Sequence, residues 1–321
     1  MSNLQNCTSL QDATGKLDYR LLNDCMFHVV FQKNPKALRG LCAALLHMHP
    51  EEVRSVEVLN PLEFKSLPTD KQFVLDLRVM LNDNRILNFE VQVIDEKDWV
   101  ERSLTYTCRT FDQLQRGQTY LDTKPVYHIG FLDYDLKGFT PEFYATYQLL
   151  NVKNHELYSD KFVLSVVNLN QIDKATEEDR KYGIDHWARL FKADTWEAIK
   201  KMAQENEYIS DAAETMFESS QDISIRTFCE GVEEAHRLRR GLEIRLEQAE
   251  AALLEKEEAL QAKDEALQAN KKALQAKDKT IQNNEKALQA KDKTIQNNEK
   301  ALQAKDNEIA RLKALLAENQ K

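Results

Sequence analysis

The sequence predicts an α/β domain followed by helices and a long, repetitive C-terminal helix, and three observations carry that prediction. Apolar residues recur first at helical spacing, then at alternating strand spacing, then at each again. Aromatic residues are spread through the chain to about residue 240 and are absent beyond it. From there to the end, a 14-residue motif repeats.

Residues 1–16 (MSNLQNCTSLQDATGK) are polar, with no apolar signal core, and read as a disordered leader. From Leu17 to about His49 the spacing is helical: Leu21, Leu22, Cys25, Met26 and Val29 form one apolar face and Ala37 to Met48 a second. Asn34-Pro35 breaks the run between them and Pro50 ends it. Three strands follow. Val53 to Leu59 alternates, Gln72 to Leu81 (QFVLDLRVML) alternates strongly, and Arg85 to Ile94 (RILNFEVQVI) returns after the turn residues Asn82-Asp83-Asn84. A helix is predicted over 98–116, ended by Gly117. Val126 to Tyr134 reads as a buried strand, and Phe143 to Leu150 with Phe162 to Leu169 as a further strand pair. Shorter helices, with Trp187 and Trp196 packed among them, fill about Ile184 to Ser220. These pieces divide the chain into the leader, a domain over 17–222 and a long helix over 223–321.

The tail carries ALQAKDKTIQNNEK at Ala273–Lys286 and again, unchanged, at Ala287–Lys300, flanked by diverged copies. Leu260, Leu267, Leu274, Ile281, Leu288, Ile295, Leu302, Ile309 and Leu316 recur every seventh residue, the period of a left-handed coiled coil. The other core position holds Lys263, Asn270, Lys277, Asn284, Lys291 and Asn298, so only half the seam is apolar. A spacer or a weak homo-oligomeriser is the expectation.

Charge narrows the function classes. The chain has 44 basic and 53 acidic residues, and 15 of each lie from Gly241 onward, which leaves 29 and 38 in the domain. A net acidic domain must use a local basic patch if it binds nucleic acid. Arg102, Arg109 and Arg116 are spaced by seven on one face of the predicted helix, with Tyr106 and Gln113 close by, and form the clearest such stripe. The five cysteines are scattered and lack metal-ligand spacing, as expected of free thiols in the cytoplasm. His47 and His49, two apart at a helix end, do not face each other and are not expected to hold a metal. No apolar run approaches the roughly 20 residues of a membrane helix.

The chemistry-bearing constellation is Asp76 on the second strand with Glu90 and Gln92 on the third. In a hairpin turning at 82–84, Asp76 and Glu90 lie near each other across the pair, and Glu90 and Gln92 project from one face. Two carboxylates and an amide then converge outside the apolar core, where a hard cation such as Mg²⁺ would be held by oxygens.

The order helix, three strands with D…ExQ, helix, strand is the αβββαβ, restriction-endonuclease-like core of PD-(D/E)xK nucleases. More narrowly, residues from about Leu17 to Leu136 resemble the bacterial Rpn/YhgA-like group, often called PD-(D/E)xK nuclease family transposases. The resembling stretches are Asn23–Leu46, Val74–Val93, Glu101–Tyr120 and Pro125–Leu136, in that order. The group's DxxF falls on Asp24–Phe27, its ExQ on Glu90–Gln92, and its Arg…Tyr…Gln…Gly…Tyr series on Arg102, Tyr106, Gln113, Gly117 and Tyr120. The resemblance implies a metal-dependent endonuclease acting on DNA in recombination, mobile elements or defence. Asp76 and Glu90 would hold Mg²⁺, with Mn²⁺ as a substitute, and Asp24 would add an acid. Gln92 would stand where most of the wider superfamily has Lys, so it would orient water without offsetting charge. His28 replaces the Lys the group usually shows after its N-terminal Phe. The rival expectation is a non-catalytic nucleic-acid- or protein-binding module assembled through the tail. A strand-transfer enzyme is less expected, because no helix-turn-helix or zinc motif for DNA ends is present.

Overall fold

The structure, a computed structural model, describes residues 7–59, 77–112, 114 and 116–318. It divides into two units, residues 1–242 and 243–321.

In the first unit, α1 (Asp24–Lys33) and α2 (Pro35–Leu45) meet at Asn34. Asn34 caps α2 by accepting from the Ala37 N–H at 2.9 Å, and Pro35 sits at the first helical position, where its missing N–H costs nothing. Asn23 caps α1 by accepting from the N–H groups of Cys25 and Met26. Residues 17–23, expected to be helical, precede this cap.

Six strands form one sheet: β1 (Val56–Val58), β2 (Leu77–Leu81), β3 (Arg85–Gln92), β4 (Val126–Leu132), β5 (Tyr144–Leu150) and β6 (Leu157–Asn168), in the order β1-β2-β3-β4-β6-β5. β1, β2 and β3 are antiparallel neighbours, whereas β3, β4 and β6 run parallel. The turn between β2 and β3 takes Asn82 and Asp83 through positive φ (50° and 59°), which Asn and Asp tolerate. The Asn82 side chain also accepts from Arg54 N–H and Ser55 N–H, tying the turn to the approach to β1.

The two faces of the sheet differ. Leu77, Val79, Leu81, Leu87, Phe89, Ile129 and Phe131 belong to the main core with α1, α2, α5 (Ile184–Lys192), α6 (Trp196–Ala203) and α7 (Glu207–Gln221). Phe27 of the DxxF motif is central to it, with ring centroids 5.1 Å from Phe31, 5.7 Å from Phe191 and 6.0 Å from Phe131. Trp187 and Trp196 are buried, as expected. The other face is covered by α3 (Trp99–Phe111) and is largely polar: Asn88, Glu90 and His128 are all buried there.

Three expectations need correction. Residues 7–16 are docked rather than disordered. Leu10 and Ala13 are buried, Gly15 N–H donates to the Glu197 carboxylate, and Lys16 bridges Thr195. A small apolar residue and free backbone groups suffice to hold that segment on α6. The helix predicted over 98–116 stops at Phe111, with Asp112 at its C-terminal cap. An acid at a helix C-terminus is disfavoured by the macrodipole, and Gly117 (φ 95°) instead serves a later turn. Finally, α8 (Ile223–Glu318) starts where expected, but its first turns are core rather than spacer: Ile225, Cys229 and Val232 are buried, and Cys229 O accepts from Asn23 Nδ2 at 3.0 Å.

In the second unit α8 continues without a break. The ladder residues described there are half exposed or more, from 49% at Ile309 to 66% at Leu267. Among the described residues, no helix is long and apolar enough to cross a membrane.

Candidate active site beneath the third helix

β3, β4 and β6 point the same way, so their C-terminal ends gather at one edge of the sheet, where ligands of open α/β sheets bind. β3 brings Glu90 there. α3 presents a stripe of small residues to the sheet, Ser103, Thr107 and Thr110, which lets it lie close over β3 and β4. Trp99 closes one end by packing on Gly130, the residue paired with Glu90 across β3 and β4. Any Cβ at Gly130 would overlap the indole.

Glu90 is buried, and its two oxygens have different surroundings. Oε1 accepts from Gln92 Nε2 at 2.8 Å and from Arg102 Nε. Oε2 accepts no hydrogen bond among the described residues. His128 Nε2 stands 3.5 Å from it. Asn88 Nδ2 lies 2.8 Å from His128 Nδ1. With the amide in this orientation Nδ1 accepts, which leaves Nε2 to carry the proton toward Glu90. Trp99 and Tyr106 flank the His128 ring, at 5.7 and 6.3 Å. Burial pushes the Glu90 carboxyl pKa up, but His128 and Arg102 outweigh it and hold the carboxylate below its usual range.

Asp24, the first residue of α1, also reaches this edge. Its Oδ2 lies 3.6 Å from His236 Nε2 on α8, and its Oδ1 is buried without a hydrogen-bond partner among the described residues. Burial raises its pKa and the nearby Glu90 charge adds to the rise, against the lowering pull of His236 and Arg102. Arg102 Nη1 approaches Glu96 Oε2 at 3.5 Å, and Arg239 of α8 approaches Glu96 Oε1 at 2.6 Å. Negative charge is in surplus here. Burial raises the Tyr134 phenol, and Asp95, Asp98, Glu90 and Glu96 raise it further.

Of the residues expected from sequence, Glu90, Gln92, Asp24, Arg102 and Tyr106 come together. Asp76 and Gln113 lie outside the described residues. The arginine stripe does not form. Arg102 points inward to Glu90, with its guanidinium 5.4 Å from the Tyr106 ring; Arg109 is exposed on α3; Arg116 lies past the helix end. The early stop at Phe111 removes Arg116 from the face, and the buried Glu90 carboxylate draws Arg102 inward. Sequence reasoning missed His128, Glu96, His236 and Arg239. His128 had a signal, as a histidine inside an otherwise apolar and aromatic strand. His236 had another, because it continues the buried series Ile225, Cys229, Val232 at steps of four, three and four.

A family model for PD-(D/E)XK nuclease family transposases matches residues 21–237, about two-thirds of the chain. The chain belongs to that family. The match begins just before α1 and ends within the first turns of α8, so it takes in both Asp24 and His236. Comparison with curated proteins and with solved structures returned no match. A nuclease or transposase-like function, with nucleic acid as substrate, follows from membership in this PD-(D/E)XK family, as does the fit of its mixed α/β sheet with trailing helices to that fold.

Proposed function

We propose that the chain is a Mg²⁺-dependent endodeoxyribonuclease, linked to recombination, mobile elements or defence, whose site is centred on Glu90. The observation that carries this reading is the asymmetry of Glu90: one oxygen is clamped by Gln92 and Arg102, and the other is buried with only the His128 ring beside it, at 3.5 Å. A buried carboxylate oxygen left unclamped is costly unless something binds it. Asp24 Oδ1 is a second such oxygen at the same edge. Hard oxygen donors amid surplus negative charge suit Mg²⁺, which keeps several waters and needs only one or two carboxylates. No group of three His, Cys, Asp or Glu side chains among the described residues stands at ligand spacing. Asp76, which strand alternation in the sequence sets near Glu90 across the hairpin, belongs to the proposal. Mn²⁺ would substitute.

When bound, the ion would supply an activated water and offset charge on the phosphate. The chain's own groups do the rest. Gln92 and Arg102 fix the Glu90 carboxylate. The Gln92 side-chain carbonyl would orient a water. The His128 N–H limits rotation of Glu90. Arg102 neutralises part of the charge of Glu90 and Glu96. The Leu/Ile ladder of the tail would join copies of the chain weakly.

The test is supercoiled plasmid incubated with purified protein in Mg²⁺, beside Asp76→Ala and a chelator. Nicking or linearisation that disappears in both controls supports the reading. Cleavage by the variant at the wild-type rate would move the site, and DNA binding without cleavage by the wild type would favour a non-catalytic module.

A further inference from the structure

The acidic domain reverses its charge balance in one recess. α5 and α6 enclose a pocket of about 540 Å³ lined by His186, Arg189, Lys192 and Lys201, with Glu205 at its rim. Lys192 is a strut: its Nζ contacts Asp133 Oδ1 at 2.5 Å and Asn170 Oδ1 at 3.2 Å. Asp133 in turn donates its N–H to Gln92 O at 2.9 Å. The recess therefore abuts the C-terminal end of β3, two residues from Glu90, across the strand ends from α3. Arg189 is half exposed and faces Asp185 at 3.9 Å, too far to occupy its donor fork. Lys201 and His186 make no ion pair among the described residues, and Lys201 is exposed.

We propose that this recess is a phosphate-binding subsite for the nucleic-acid backbone, engaging a phosphate removed along the strand from the one at Glu90. The inference rests on the nuclease reading and extends it with a binding path that does not use α3. An exposed lysine, an arginine only loosely paired with Asp185, a tethered second lysine and a histidine match a phosphate in charge, and the Arg189 fork matches it in geometry. The path would also give an acidic domain a way to bind a polyanion while Arg102 is committed to Glu90.

The test compares the full chain with Arg189→Glu/Lys201→Glu, and with Lys137→Glu/Lys153→Glu, two exposed lysines outside the recess, as a control of equal net-charge change. Affinity for a labelled DNA duplex is measured by anisotropy in Ca²⁺ across a salt series, with circular dichroism confirming the fold. The double variant is expected to bind about tenfold more weakly or worse, with the salt slope shallower by roughly 1–2. The control should stay within about twofold. Binding by the double variant equal to wild type overturns the subsite and leaves the nuclease reading standing. Wild-type protein that neither binds nor cleaves DNA overturns both. If inorganic phosphate raises the melting temperature of wild type but not of the double variant, while DNA binding is equal in both, the recess is a free-anion pocket and the proposal fails.

Discussion

Glu90 and Asp24 show what single residues contribute and what they cost. Arg102 and the proposed cation compete for the same charge, which gives Arg102→Gln two opposite effects. It should lower stability by about 1–3 kcal/mol, because Glu90 is left buried with less compensation. It should also tighten Mn²⁺ binding, measured by calorimetry, while slowing cleavage. Equal Mn²⁺ affinity in both proteins would separate Arg102 from the site. Asp24 has its pKa raised in the fold, so the folded state binds its proton more tightly than the unfolded chain does. Stability is then lost as pH rises from the unfolded value through the folded one. Asp24→Asn should therefore melt at or above the wild-type temperature near pH 7, lose that advantage toward pH 4, and bind the metal more weakly. A uniform drop in melting temperature at both pH values would contradict this. Glu90 and Gln92 were readable as one strand face because alternation places them without tertiary knowledge, whereas Asp24 came only from the resemblance at Asp24–Phe27. The partners on Asp24 and Glu96 were not legible, because His236 and Arg239 lie over 140 residues away in sequence on what read as a spacer.

At the scale of elements, the site depends on how closely α3 lies on the sheet. Gly130→Ala should push Trp99 off β4, uncover His128 and lower both melting temperature and cleavage, by about 1–3 kcal/mol in stability. A Trp99→Phe change in the same background should recover part of each. No recovery would mean that the indole contact is not the cause. The strands and their order were readable from alternation and turn residues, and the β2–β3 turn fell where Asn82-Asp83-Asn84 put it. The end of α3 was not readable: apolar and basic spacing runs on past Phe111, and only the unfavourable Asp112 hinted at the stop. The docked residues 10–16 escaped notice because backbone hydrogen bonds to Thr195, Glu197 and Lys200 leave no apolar pattern.

At the scale of the whole molecule, the head of α8 and its tail serve different ends. Truncation after Leu242 should leave melting temperature unchanged and remove any concentration-dependent association seen by sedimentation. Truncation after Asp222 should unfold the domain, since it removes Ile225, Cys229 and Val232 from the core and the Asn23, Asp24 and Glu96 partners from the site. Cooperative melting of the shorter fragment would contradict that division. The central claim, that a buried Glu90 with one unclamped oxygen is the centre of a metal-dependent nuclease, is tested most directly by the rate of plasmid cleavage against Mg²⁺ concentration for wild type and Glu90→Gln. The substitution keeps the shape and removes the charge. The account predicts Mg²⁺-dependent cleavage by the wild type and a loss of at least a hundredfold in a variant that still folds. Cleavage by folded Glu90→Gln within a few-fold of wild type would contradict it.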